Sequence, residues 1–313
     1  MSSKYYILQR NRQQALIGTP IFCCDKGDGS FMGHKYPFVL KDGRNNLFPP
    51  FAEVQKYFDN NQVSWWGGFT PTGHILSSQM ACLNHLYPLM RDKDAVLKIL
   101  NGVRNEFIEV LPIMCDVDPQ YIAFEVVSKE DYLNELNTTR GSNCTSVDAF
   151  ILARHKSSEI WLIPIEWKYT EHYATEDKSA GEKGQTRKNR YDKLIISSDQ
   201  LKTIEDFRVY YQEPFYQLMR QTLWAEQMLR HKESEIIKAV DYFHIHVIPS
   251  ANDDLLKVNS RYPYKVSGKG MEETWRGCLT DQSKYQIVDP EILLMPIKQD
   301  YPELIEYLKK RYW

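Results

Sequence analysis

The stretch that most constrains the fold is a pair of apolar runs, residues 145–153 and 160–169, separated by the polar turn His155-Lys156-Ser157-Ser158. Each run is short, β-branched and aromatic, and the turn is the right length for a hairpin. Side chains alternate faces along a strand. Trp161, Ile163, Ile165, Trp167 and Tyr169 therefore share one face; Ile160, Leu162, Pro164, Glu166 and Lys168 share the other. A strand apolar on both faces belongs inside a sheet covered on both sides, which points to an α/β protein.

Charge enters this buried pair of strands at only three places. Asp148 interrupts the first run, and Glu166 and Lys168 end the second. Buried charge costs several kcal/mol per ion unless it is paired or bound to metal. Residues 148 and 166 are equidistant from Ser157, so the simple antiparallel register sets Asp148 beside Glu166, with the carboxylates roughly 3–6 Å apart. Two such carboxylates repel, and a divalent cation removes the conflict. Oxygen ligands with room for water suit Mg²⁺ or Mn²⁺.

Around the hairpin the pattern predicts a helix from Ser77-Ser78-Gln79, helical segments over 95–103 and 105–113, and a strand over 121–127. A helical turn over 131–136 comes next. After the hairpin, residues 170–206 read as a long polar loop, Pro214 opens a helix, and 242–249 forms a strand. Residues 1–73 read as irregular apart from a short helix over 50–59, and a last helix runs over 302–310.

An Asp on one strand followed by Glu-x-Lys on the next, here Ser146-Val147-Asp148 and Glu166-Trp167-Lys168, resembles the signature of the PD-(D/E)XK nuclease superfamily. The segments 145–149 and 166–171 resemble restriction-endonuclease-like proteins. The proline common before the Asp is replaced by Val147. The resemblance implies an αβββαβ core with a mixed central sheet flanked by helices, spanning 77–250. Residues 1–76 are then an N-terminal extension packed on that core, and 251–313 a C-terminal extension of the same domain.

It also implies an Mg²⁺- or Mn²⁺-dependent nuclease hydrolysing phosphodiester bonds, most simply a DNA endonuclease of restriction or defence type. Asp148, Glu166 and Lys168 would be catalytic. Asp148, Glu166 and the Trp167 backbone carbonyl would be metal ligands, with Glu125 or Glu135 as a third acid. Glu125 breaks an apolar strand, whereas Glu135 reads as a solvated helix residue. Gln79, Gln217 and Arg220 sit on helices that face the metal or phosphate in such folds. Lys183, Arg187 and Lys188 belong to the basic stretch 178–193, which could track a phosphate backbone. The expected partner is double-stranded DNA, with a homodimer left open. The alternatives are a non-catalytic nucleic-acid-binding protein that keeps the fold, and a structural protein in which Glu166 and Lys168 are a strand-end ion pair.

Composition limits the other classes. A net charge of −2 means that any nucleic-acid surface is local. No apolar run reaches the ~20 residues of a membrane span, and Met1 to Tyr6 lacks the apolar stretch of a secretory signal, so a cytoplasmic protein is expected. The six cysteines include no C-x-x-C pair. His244 and His246 share a strand face, and Cys82 and His85 a helix face, but neither pair has a third partner in sequence, so zinc is not expected. Phosphate-binding, dinucleotide and serine-hydrolase motifs are absent.

Overall fold

In the computed structural model, which describes residues 3–66, 68–113, 119–136, 144–173, 177–257 and 264–313, the chain opens with helix α1 (Lys4–Gln14), capped by the Ser3 hydroxyl. A small hairpin of β1 (Gly29–Phe31) and β2 (His34–Tyr36) follows, then α2 (Phe51–Asn60). Helix α3 (Ser78–Leu86) starts where Ser77 accepts from the Met80 N–H, and α4 (Lys93–Val103) where Asp92 accepts from Ala95 N–H. Strands β3 (Phe107–Leu111), β4 (Ala123–Val126), β5 (Val147–His155) and β6 (Ile160–Trp167) come next. Helices α5 (Gly181–Ile196) and α6 (Phe215–Arg230) cross over to β7 (Asp241–Tyr242) and β8 (His244–Val247). The short helices α7 (Asp253–Leu256), α8 (Tyr264–Ser267) and α9 (Met271–Gly277) lead to β9 (Tyr285–Val288). Helices α10 (Pro290–Leu294) and α11 (Pro302–Arg311) complete the chain.

The hairpin forms in the register centred on Ser157. Ala149 pairs with Ile165, Ile151 with Ile163 and Ala153 with Trp161. It is the middle of a seven-stranded sheet in the order β3-β5-β6-β8-β9, with β4 also beside β5 and β7 also beside β6. The pairs β5–β6, β3–β5 and β4–β5 are antiparallel; β6–β8 and β8–β9 are parallel. A parallel step needs a crossover, and α5 and α6 supply it.

Both faces of the hairpin are buried, as the alternation requires. Ile151, Ile163, Ile165 and Trp167 join a core built with α2, α3, α4 and α11. Phe150, Leu152 and Leu162 join a second core with α5, α6 and α9. The αβββαβ order is present as α3, β4, β5, β6, α6 and β8, so the fold is a mixed α/β sheet flanked by helices. Among the described residues, no helix is long and apolar enough to cross a membrane.

Several elements depart from the sequence pattern. Residues 105–113, expected to be helical, contain β3, which pairs with the far end of β5 at Val110↔Ala153. Its alternation of buried Phe107 and Val110 with more exposed Ile108 and Glu109 is imperfect, and a register irregularity between Phe107 and Glu109 blurs the period. The polar stretch 170–206 is not a loop throughout, because α5 occupies sixteen of its residues. Only Gly184, Tyr191 and Ile195 of α5 are buried, too few to set an apolar stripe. Helix α1 was hidden for a sharper reason: the side chains it buries are Tyr5, Gln9 and Gln13. Residues 131–136 form turns rather than helix. The C-terminal region adds β9 to the sheet, where no strand was expected.

The polar face of α1 meets the end of α11. Arg311 is fully buried and donates to the Asn46 carbonyl (2.7 Å), the Gln13 amide oxygen (3.1 Å) and the Tyr307 hydroxyl (2.5 Å). It also lies over the rings of Phe22 and Tyr312, 4.7 Å from each centroid. Truncating it strands several buried acceptors, each of which costs ~1–3 kcal/mol when unsatisfied. Arg311→Ala is therefore expected to lower stability by roughly 3 kcal/mol or more, measured by urea unfolding. A loss below about 1 kcal/mol would show that the cluster is not needed for the fold.

Candidate active site

The end of β6 and the start of β5 bring the three charges together. The Trp167 N–H donates to Asp148 Oδ2 at 2.7 Å, which ties the first acid to the backbone between the other two residues. One oxygen of Glu166 meets the Lys168 ammonium, and the other accepts from the Gln221 side chain. Lys168 also donates to Gln217 Oε1, while its main-chain N–H is zipped to Val247 of β8 at 2.9 Å. Gln217 and Gln221 lie one turn apart on α6 and so face the strand end together. The Glu166–Lys168 pair is buried rather than exposed, with side chains only 5% and 6% accessible. Asp148, Glu166 and Lys168 all open onto one cleft of about 620 Å³.

Electrostatics mark this as an uncomfortable place for negative charge. Burial, then Glu166, then Glu125 push the Asp148 carboxyl well above the usual aspartate range. Burial weakens the hold of Lys168 on its proton, but Glu166, Tyr173, Glu171 and Asp148 outweigh it and push the ammonium well above the usual lysine range.

Glu125 supplies the third acid. On β4, Phe124 pairs with Ala149 and Val126 with Val147, so Glu125 stands at the position across from Asp148. It adopts a left-handed backbone at φ 50°, inside a strand. Such a conformation costs a non-glycine residue about 1–3 kcal/mol, and it clusters at functional sites. Gln79 Nε2 (3.0 Å) and the Ser146 hydroxyl (2.8 Å) donate to its carboxylate. Acids from three adjacent strands thus line up across the sheet: Glu125, Asp148 and Glu166.

Glu135 is not the solvated helix residue expected. It is buried and accepts from the Thr145 N–H (2.5 Å) and hydroxyl (2.7 Å), the Tyr191 hydroxyl (2.6 Å) and Arg220 (3.0 Å). No helix forms there to carry it into solvent. It braces the residues just before β5.

The helix candidates divide. Gln217 and Arg220 line the cleft beside Lys168. Gln79, Arg187 and Arg220 line a second, adjoining cavity of about 770 Å³ that shares Asp148 and Ser146 with the first. Lys183 and Lys188 line neither, since α5 turns them away. Arg190, part of the basic stretch 178–193, also borders these spaces, as do Gln221, Ser146, Tyr173 and Trp66, which the sequence did not mark as site residues. The spacing of Gln217 and Gln221 was the one signal available for any of them.

The histidines are packing residues. His246 is buried, and its Nδ1 is 2.9 Å from the Tyr285 hydroxyl. Burial pushes His244 down to about 4 and lowers His246 well below the usual histidine range, which favours the neutral rings. His85 is held between the Ala81 carbonyl (2.7 Å) and the Trp313 indole (3.2 Å).

Among the described residues, no three His, Cys, Asp or Glu side chains form a ready-made metal cage. The donors nevertheless fit a hard cation. They are carboxylate oxygens, they are crowded enough to raise the Asp148 proton affinity, and the buried Gln221 Oε1 beside them has no hydrogen-bond partner.

A testable consequence concerns stability. Asp148 holds its proton more tightly in the fold than in the unfolded chain. Its contribution is favourable below the unfolded value, ~3.9, and is lost as the pH rises through the folded one. Asp148→Asn keeps an acceptor for the Trp167 N–H and removes the penalty. In EDTA at pH 7 it should melt higher than wild type by roughly 2 °C or more, with the gain shrinking toward about pH 4. Thermal melts across that range check this, and a mutant that melts lower at pH 7 would contradict it.

No curated protein matches the chain. No solved structure matches it either. A family model described as "Restriction Endonuclease associating with ARP" matches residues 24–313. That span holds the whole seven-stranded sheet together with Asp148, Glu166 and Lys168, and the chain belongs to this restriction-endonuclease family.

Proposed function

We propose that the chain is a divalent-cation-dependent nuclease that hydrolyses phosphodiester bonds in DNA, of restriction or defence type. The observation that carries this is the convergence of Asp148, Glu166 and Lys168 at neighbouring strand ends in a polar cleft. Asp148, Glu166 and the Trp167 carbonyl would hold Mg²⁺ or Mn²⁺, with Glu125 as a further acid nearby. A bound cation would supply Lewis-acid activation of water and neutralisation of phosphate charge.

The protein's own residues do the rest. Lys168 stays protonated, so its role is to stabilise charge on the phosphate and to orient the nucleophile, not to accept a proton. Gln217 holds the ammonium in place, and Gln221 holds Glu166. Arg220 keeps a guanidinium at the cleft wall, fixed by Glu135 and Thr145. Without a cation, the Lys168 ammonium is the counter-ion of Glu166.

Nicking of supercoiled plasmid with Mg²⁺, Mn²⁺ or EDTA tests the reading. Wild type should cut only with metal. Asp148→Ala, Glu166→Ala and Lys168→Ala should each lose at least ~10²-fold while remaining folded. Mg²⁺ should also raise the melting temperature of wild type more than that of Asp148→Ala. Full turnover by any of the three variants would remove that residue from the mechanism. Binding without cutting under every metal would favour a non-catalytic DNA-binding protein instead.

The cationic side of α5 makes a separate prediction. Arg187→Gln with Arg190→Gln should weaken DNA binding and flatten its log–log salt dependence by about 0.9 per lost phosphate contact. Lys183→Gln, outside both cavities, should change the slope less. Equal effects of the two sets would mean that only the overall charge of α5 matters.

A further inference from the structure

The 770 Å³ cavity adjoins the carboxylate cleft and is itself lined by Asp148, Glu125 and Glu135, together with an aromatic ring and three arginines. One wall carries the indole of Trp66, which is 43% exposed and packs on Phe31 with ring centroids 4.7 Å apart at 29°. That ring is fixed, not loose. His74 meets the indole edge-on at 5.7 Å, and the Trp66 main-chain N–H donates to Gln79 Oε1 at 2.9 Å, which holds the backbone beneath it. Arg187 and Arg190 of α5 and Arg220 of α6 line the same cavity, with Glu135 paired to Arg220. Tyr216 lies between them, with the Arg187 and Arg220 guanidinium groups 5.8 and 5.3 Å from its ring centre. Asp148, Ser146, Trp66 and Arg220 are shared with the carboxylate cleft.

An exposed indole packed on Phe31 and His74, in a cavity also lined by arginines, is the chemistry of a base-stacking platform with phosphate-binding groups beside it. Stacked bases of a duplex cannot enter a recess of this kind, whereas an unpaired one can. We infer that this cavity receives an unpaired nucleotide of the substrate strand, its base on Trp66 and its phosphate toward Arg187 and Arg190, next to the bond presented to Asp148 and Glu166. The inference rests on the nuclease reading above and adds to it a substrate class: DNA with an unstacked nucleotide at the cut, either single-stranded or extruded from a duplex.

The test uses the full chain in EDTA, so that no bond is broken. Three 2-aminopurine oligonucleotides are compared: a fully paired duplex, the same duplex with the 2-aminopurine left unpaired, and the single strand. Wild type should bind the last two at least about tenfold more tightly than the first and quench the 2-aminopurine emission, as stacking on an indole requires. Trp66→Ala should lose that preference and the quenching. Trp66→Phe should keep most of both. Arg190→Gln should weaken all three substrates and leave the quenching intact, which keeps the test decisive if Trp66→Ala does not fold. Equal affinity for paired and unpaired DNA, or a preference that survives Trp66→Ala, would overturn this site alone. Failure to bind any of the three DNAs would overturn both this site and the nuclease reading. Metal-dependent cutting of paired duplex at the same rate by Trp66→Ala and wild type would leave the nuclease reading intact and discard the cavity.

Discussion

The pairing of β5 with β6 is the constraint on which the rest of the molecule depends. Both strands are covered on both faces, so a slip of one residue would drive every buried side chain to the wrong side. That locks the register about Ser157 and leaves no choice about where the polar residues fall. Asp148 and Glu166 must sit next to each other at the open end of the hairpin. The site is therefore a by-product of core packing as much as a feature laid on top of it. Its geometry is as rigid as the centre of the sheet.

That rigidity has an electrostatic cost, and the neighbours are arranged to limit it. Lys168 neutralises Glu166, Gln221 donates to it, and the Trp167 N–H donates to Asp148. None of these removes the repulsion from Glu125, which contributes to the raised proton affinity of Asp148. A folded core would be more comfortable with apolar residues at these places. The left-handed backbone of Glu125 is a second departure from local preference at the same spot. Violations of local rules that gather at one point are what a functional site looks like in an otherwise consistent fold.

Much of this was legible in the sequence because the central strands announce themselves. Apolar on both faces and broken only by three charges, the runs 145–153 and 160–169 disclosed their pairing, their register and the meeting of Asp148 with Glu166. The capped helix α3 was equally plain, since Ser77 stands at its start. Part of what was hidden has one cause: periodicity reads apolar burial only. Helix α5 buries just three residues of sixteen, and Glu135 is buried through hydrogen bonds to Thr145, Tyr191 and Arg220 rather than through greasy contacts. Strand β3 was misread because its alternation is irregular where the ladder shifts. The walls of the second cavity come from Trp66, α5 and α6, far apart in sequence, and no local pattern could join them.

Helix α1 shows how far polar burial reaches. It lies outside the residues matched by the family, yet its buried side chains touch the strand that carries the site. Gln9 and Gln13 both engage the Tyr169 hydroxyl, and Gln13 in turn accepts from Arg311 at the end of α11. Tyr169 follows Lys168 directly and points to the opposite face of the sheet. The chain's first and last helices are thus fastened, through one tyrosine, to the back of the strand end whose front holds Glu166 and Lys168. Apolar packing alone would fill that space but would not fix the orientation of the ring. Directional bonds from two glutamines and a buried guanidinium do so, because each has few geometries in which all its partners are satisfied. The polar clamp therefore explains why a strand end that must tolerate opposed charges can still be held in one position without help from a ligand.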